Sequence, residues 1–271
     1  MTLPLDGVRV LVTRGGAAGE RDAAEVRRRG GAPILAPLTE IVPSERPELL
    51  REAAEGWNRG DFDWLLMTSA NAVDAFVAAG GRGPTGSQRV AAVGPATAEA
   101  LRGHGMDPDL VPAADYSAVG LGAAILDRFA TASRATGASA GSVRALLPVS
   151  EIADHTLEFA LSEGGHEVTR VTAYRTVPAP RDAQIEDRVT AGEVDVILVL
   201  SGSAAREVAR RFAPFTRSRP LLAAIGGPSA RALATHELAA DVVADPHTVS
   251  NLLDRVANAL ERTPLSPGGT A

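Results

Sequence analysis

Short apolar runs alternate with longer amphipathic segments along this chain. In the first half the runs fall at 8–13, 33–36, 64–68, 90–93 and 109–111. They are continuously apolar, which predicts strands of a parallel sheet covered on both faces. The segments between them, 19–29, 47–56, 71–78, 96–102 and 118–129, are predicted helices. The second half repeats the order and closes on a predicted helix at 249–260. This alternation predicts an α/β protein with doubly wound parallel sheets.

The two halves are related. Asp63-Trp-Leu-Leu-Met-Thr-Ser-Ala-Asn-Ala-Val is echoed 132 positions later by Asp195-Val-Ile-Leu-Val-Leu-Ser-Gly-Ser-Ala-Ala. At the same offset of 132, Ala91-Ala-Val-Gly-Pro-Ala-Thr-Ala-Glu-Ala-Leu matches Ala223-Ala-Ile-Gly-Gly-Pro-Ser-Ala-Arg-Ala-Leu. Asp109-Leu-Val-Pro-Ala matches Asp241-Val-Val-Ala-Asp in that register too. Val8-Arg-Val-Leu-Val recurs more loosely as Val143-Arg-Ala-Leu-Leu. The segment 131–141, rich in Ala, Ser, Thr and Gly, predicts a flexible surface loop between the halves, and the Pro- and Gly-rich 263–271 a disordered tail.

Composition narrows the chemistry. The 271 residues are 45% hydrophobic with a net charge of −6, and lack the clustered basic excess of a nucleic-acid binder. The three arginines at 27–29 read as the solvated end of a helix. There is no Cys, which excludes a thiol nucleophile, a thiolate metal site and a disulfide. All 27 basic residues are Arg, which excludes lysine Schiff bases and a Walker lysine. The five His are scattered without ligand spacing, so no metal site is expected. No G-x-G-x-x-G follows the first predicted strand; Arg14-Gly-Gly-Ala-Ala-Gly-Glu is only loosely similar. No leader pattern and no run of about 18 apolar residues is found, so a cytoplasmic protein without a membrane partner is expected.

In an open α/β sheet, ligands bind beyond the carboxyl ends of the strands. The residues that follow the predicted strands are small and hydroxylic: Thr68, Ser69 and Ala70; Gly94 and Thr97; Tyr116 and Ser117; Ser201, Gly202 and Ser203; Gly226 and Ser229. Ser, Thr and Asn here are also ordinary helix N-caps. Helix N-termini with small side chains present main-chain N–H groups to anions, and the two uses coexist. Four equivalent turns facing one cleft would suit a ligand with many carboxylates.

These blocks resemble the uroporphyrinogen-III synthase family. The resemblance rests on Leu11-Val-Thr-Arg14, on 63–76 ending Thr-Ser-Ala-Asn-Ala-Val-Asp-Ala-Phe, on Ala92-Val-Gly-Pro-Ala-Thr, on Ala173-Tyr-Arg-Thr, on Ser201-Gly-Ser-Ala and on Ile225-Gly-Gly-Pro-Ser-Ala. It implies two similar α/β domains joined by a two-stranded ladder, the chain crossing out and back. One domain would be 1–37 plus 176–262 and the other 45–170, with crossings at 38–44 and 171–175. Two thin connections would let the domains open and close. The implied reaction closes hydroxymethylbilane to uroporphyrinogen III with loss of water and inversion of ring D, through an azafulvene and a spiro intermediate. It requires no cofactor. Tyr174 stands at the family's active-site tyrosine and is expected to act as the general acid; a phenol, with a pKa of about 10, keeps its proton at neutral pH. Ser69, Thr97, Ser203 and Ser229 would bind carboxylate arms with neighbouring main-chain N–H groups, and Arg14 would add charge or make a structural ion pair. A monomer is expected, with transient contact to hydroxymethylbilane synthase. The rival reading is a two-lobed anion-binding or regulatory protein without turnover. The Gly226-Gly227-Pro228 order departs from Gly94-Pro95 and leaves the local turn geometry open.

Overall fold

The structure is a computed structural model that describes residues 3–136, 142–215 and 219–262. The chain opens with β1 (Arg9–Val12), α1 (Gly16–Arg28) and β2 (Ala32–Leu35). It continues through β3 (Thr39–Pro43), α2 (Pro47–Arg59), β4 (Trp64–Met67), α3 (Ala70–Ala78), β5 (Arg89–Ala92), α4 (Pro95–Gly103) and α5 (Ala118–Thr136). Then come β6 (Arg144–Ser150), α6 (Thr156–Glu163) and the long β7 (Glu167–Pro178). It ends with α7 (Ala183–Thr190), β8 (Val196–Val199), α8 (Gly202–Phe212), β9 (Leu221–Ala224), α9 (Gly227–Ala234), β10 (Val242–Val243) and α10 (Val249–Arg262).

These elements form two compact units, Met1–Glu40 with Val177–Ala271, and Ile41–Thr176. The first contains a five-stranded sheet in the order β10-β9-β8-β1-β2. The second sheet runs β3-β7-β6-β4-β5. The chain passes from one unit to the other within β3 and returns within β7, and these two strands are neighbours in the second sheet.

Each sheet is covered on both faces, as the unbroken apolar strands require. In the first unit, Val10, Val12, Val196 and Leu198 pack under Ala23 and Val26 of α1 and Leu252, Leu253 and Val256 of α10. Leu11, Ile197, Val199 and Leu222 face α7, α8 and α9. In the second unit, Leu65, Met67, Val90 and Leu146 pack with Leu50 and Trp57 of α2 and with α3 and α4. Trp64, Leu66, Ala145, Leu147 and Val149 meet α5 and α6. Fully burying one such side chain contributes roughly 1.5–3 kcal/mol.

The units share a topology in permuted order. β8-α8-β9-α9 corresponds to β4-α3-β5-α4 at the offset of 132 residues. β1-α1-β2 opens the first unit, whereas its counterpart β6-α6-β7 closes the second. The same ion-pair clamp marks the start of the matching strands. Asp195 accepts hydrogen bonds from the Arg9 main-chain N–H at 2.7 Å and from the Arg9 guanidinium at 2.8 and 2.9 Å. Asp63 does the same for Arg144, at 2.9 Å from its main chain and 3.0 and 3.3 Å from its guanidinium. Each Arg reaches on to a turn carbonyl, of Gly192 and Gly60 respectively. Hydrogen bonds from Arg144 hold the Asp63 carboxyl below its ordinary range against the opposing effect of burial.

A second polar cluster ties the two crossings to the first unit. The Ala179 N–H donates to the Leu38 carbonyl at 3.0 Å. The Arg211 guanidinium donates to the carbonyls of Leu38, Ala179 and Pro180. Its Nε donates to Glu207 at 2.8 Å, and the two side chains are only 2% and 8% exposed. Burial works to raise the Glu207 pKa, but hydrogen bonds from Arg210 and Arg211 prevail and hold it low.

Two sequence expectations are corrected. The stretch 109–111 is not a strand; Leu110 makes one isolated parallel bridge to Ala91. Pro112 has no N–H to continue a ladder. The predicted loop at 131–141 begins as helix, because α5 runs on to Thr136; Ala130, Ala132 and Ala135 favour helix over the intervening Ser and Thr. The remainder, 137–141, and the predicted tail 263–271 lie outside the described residues.

Arg211→Ala would leave Glu207 buried beside the crossings with Arg210 alone. Denaturant unfolding should show a loss of about 3–5 kcal/mol; a loss below about 1 kcal/mol would deny the cluster its role. Asp63 supplies a pH signature. Its lowered pKa means its contribution is complete above the unfolded value of about 3.9 and fades as pH falls through the folded one. Asp63→Asn should therefore lose less stability than the parent between about pH 5 and pH 2.

Candidate functional site

Helix starts and strand ends coincide at the carboxyl edge of each sheet. In the second unit Ser69 leaves β4 in extended conformation and its Oγ caps α3, accepting the Ala72 N–H at 3.1 Å. Ser201 does the same for α8, accepting the Ala204 N–H at 3.0 Å. The two caps differ in their further partner. Ser201 shares a hydrogen bond with Ser203 at 3.0 Å, whereas Ser69 shares one with the Tyr174 hydroxyl at 3.1 Å.

A β-bulge accounts for the position of Tyr174. β6 and β7 pair in regular parallel register from Arg144↔Glu167 to Val149↔Thr172, and then Ser150 pairs with Tyr174. Ala173 is the extra residue, and a bulge of this kind re-aims the side chains beside it. Val171, Ala173 and Tyr174 consequently all join the same core cluster, which strict strand alternation would forbid. Tyr174 is 7% exposed, and its carbonyl accepts the Glu151 N–H at 3.0 Å. A cavity of about 290 Å³ opens here, its lining including Thr68, Ser69, Tyr116, Ser117, Ser150 and Tyr174. Asp154 and Arg170 also border it. Arg170 is committed to the carbonyls of Ala153 and Asp154, and the Thr156 main-chain N–H keeps the Asp154 carboxyl below its ordinary range.

The other expected residues are placed as follows. Ala70 opens α3, and Gly94 is the N-cap of α4. A Cβ on Gly94 would meet the Tyr116 side chain at 3.0 Å, and one on Gly226 would meet the His247 ring at the same distance. Both glycines thus let an aromatic ring lie against the turn. Thr97 and Ser229 sit at matching places on α4 and α9 and are nearly buried, at 4% and 3% exposure. The extra glycine before Pro228 leaves the geometry unchanged: Gly94 (φ −174°, ψ −178°) and Gly226 (φ 175°, ψ 177°) are equally extended. Either of the first two helical positions accepts proline, because the N–H it removes has no partner in the helix. Gly202 begins α8 beside Ser201 and Ser203. Arg14, past the end of β1, lies 3.6 Å from the Asp22 carboxylate.

Thr68, Ser69, Tyr116, Ser117 and Tyr174 are therefore brought to one cavity, while Ala70, Gly94 and Thr97 support its turns. Sequence reasoning missed Ser150, although it ends an apolar run in the same way as Ser69. It also missed Asp22, an acid on the buried face of α1, whose carboxyl is raised by burial against the pull of Arg14 and Arg21. Among the described residues no three His, Asp or Glu side chains gather as a metal site, and no helix is long and apolar enough to cross a membrane.

Fold and site together define a two-unit, doubly wound α/β protein with hydroxyl-lined helix N-termini at its strand ends. A family model described as uroporphyrinogen-III synthase HemD matches residues 20–254. The chain belongs to the uroporphyrinogen-III synthase family. It is 36% identical over 113 residues to uroporphyrinogen-III synthase of Synechococcus elongatus, a match covering 40% of this chain and 42% of that protein. It is 31% identical over 117 residues to the porphyrin biosynthesis protein HemD of Ruminiclostridium josui, covering 41% of this chain and 23% of that one. The chain thus spans less than half the length of the curated relatives it matches. Among solved structures, a mutant uroporphyrinogen III synthase of Thermus thermophilus shares the fold with a TM-score of 0.60 at 22% identity, over 94% of this chain and 100% of that one. Uroporphyrinogen-III synthetase of Helicobacter pylori gives 0.58 at 14% identity, over 93% and 99% of the two chains.

Ser69→Ala removes a helix cap and the partner of Tyr174 in one step. It should lower stability by about 1 kcal/mol in denaturant unfolding, as should Ser201→Ala. Only Ser69→Ala should alter the environment of Tyr174, read as a change in its tyrosine fluorescence or NMR ring signals.

Proposed function

We propose that this protein is the cyclase that converts hydroxymethylbilane to uroporphyrinogen III, releasing water and inverting ring D. The observation that carries this reading is the Tyr174 phenol, buried at the bulged end of β7 and 3.1 Å from the Ser69 hydroxyl. Ser69 already accepts from the Ala72 N–H, so its own proton is free to go to the Tyr174 oxygen. That leaves the phenol proton for the departing hydroxyl of the substrate. The hydroxyl leaves as water and an azafulvene forms, pushed by pyrrole nitrogen. Attack at the substituted carbon of ring D gives the spiro intermediate, which re-closes inverted. The proton lost when the macrocycle regains its pyrroles restores the phenol.

The rest of the site supports binding and orientation. Small residues and uncrowded helix N-termini suit carboxylate arms, and holding a folded substrate favours attack at one carbon over another. In the first unit, Arg14, Ser201, Gly202, Ser203, Gly226 and Ser229 are the corresponding carboxylate-binding groups that we propose. We further place the protein in the cytoplasm as a monomer, in transient contact with hydroxymethylbilane synthase. The support is chemical, since an unstable linear substrate favours short transit.

The test is a coupled assay in which porphobilinogen and a separate deaminase generate hydroxymethylbilane, and oxidised products are resolved by isomer. The parent should shift the product from isomer I to isomer III. Tyr174→Phe should lower kcat by about 10–100-fold, at or below the usual contribution of a positioned acid because the leaving group departs readily. Folded parent that yields isomer I alone would sink the cyclase reading and leave an anion-binding protein.

A further inference from the structure

Among the described residues, Ser150 is the hydroxyl lining the second unit's cavity whose oxygen is both enclosed and without a protein partner. It ends β6, lines the 290 Å³ cavity and is the register partner of Tyr174 across the bulge. Its Oγ is enclosed, and it finds no hydrogen-bond partner among the described residues. A buried hydroxyl with no partner is costly and calls for an explanation. Its neighbours are differently employed: Ser69 is bonded to Ala72 and Tyr174, Ser117 Oγ accepts the Gly120 N–H, and Arg170 is committed to two carbonyls. The bulge that turns Tyr174 toward Ser69 is the same irregularity that sets Ser150 beside it.

We propose that Ser150 is a substrate-binding residue that donates its hydroxyl proton to a carboxylate arm of the tetrapyrrole, next to Tyr174. The ligand class rests on the proposed function. Ser150 lines the cavity, so a carboxylate arm occupying that space lies beside its side chain. Among the described residues no group bonds the Ser150 hydroxyl, so a ligand in the cavity supplies the hydrogen bond that the fold does not. This orders the arm closest to the departing hydroxyl and fixes which end of the chain meets Tyr174.

Loss of this hydroxyl should weaken binding without lowering stability, which loss of a structural serine would not do. The probe is uroporphyrin III, a stable octacarboxylate, titrated by fluorescence against the folded full chain, with the isomer assay run alongside. Ser150→Ala should weaken porphyrin binding by about tenfold or more, the effect of one hydrogen bond to a charged group. It should raise KM in the assay more than it lowers kcat, and leave Tm unchanged or higher. Ser150→Thr should recover most of the binding. Binding within about twofold of the parent overturns the assignment, as does weakened binding that comes with a lower Tm and is not recovered by threonine. If the parent makes no isomer III yet binds porphyrin in a Ser150-dependent way, the cyclase reading fails and the Ser150 assignment stands. If the parent binds no porphyrin, the Ser150 assignment falls whatever the assay shows.

Discussion

Two strands carry the chain between its units, and both are secured at one buried guanidinium. Arg211 reaches the carbonyls of Leu38, where the chain leaves β2, and of Ala179 and Pro180, where it returns from β7. The Leu38 carbonyl also accepts the Ala179 N–H, so the guanidinium reinforces a main-chain bond that already joins the two crossings. Glu207 neutralises the guanidinium one helical turn away. If this cluster fails, the two crossings lose the guanidinium that holds their ends together on the first unit.

The same constraint explains how two related units come from one chain in different orders. Parallel strands joined by crossovers can be cut open at any crossover without altering which strands lie side by side. After β3, the second unit continues with the equivalent of α7-β8 and ends with the equivalent of β1-α1-β2. The matching clamps Asp195–Arg9 and Asp63–Arg144 survive the permutation because each joins neighbouring strands, whatever connects them in sequence. In the first unit the clamp spans 186 residues and in the second 81.

Chemistry is placed by local irregularity on this regular frame. Helix capping brings Ser69 and Ser201 to the strand ends in the same way in both units. What differs is β7, whose bulge at Ala173 puts a phenol against one cap. The site's asymmetry therefore comes from one extra residue in one strand.

Much of this was legible in order along the chain. Continuous apolar runs identified buried parallel strands, the offset of 132 identified the duplication, and hydroxyl residues after each strand identified the helix starts. These are local properties, set by side-chain solubility and by the backbone groups every helix leaves unpaired. The stretch 109–111 misled because a proline acts on pairing, not on hydropathy. The permutation was hidden, because an offset records similarity and not adjacency. Ser69 and Tyr174 are 105 positions apart, and no spacing rule joins them. Ser150 was invisible as a special case for the same reason: its burial and its missing partner follow from the register of β6 on β7. Residue order alone thus settles most of the strands and helices and where the helices start. Which hydroxyls meet is settled only in the folded chain, because it depends on strand register between residues far apart in sequence.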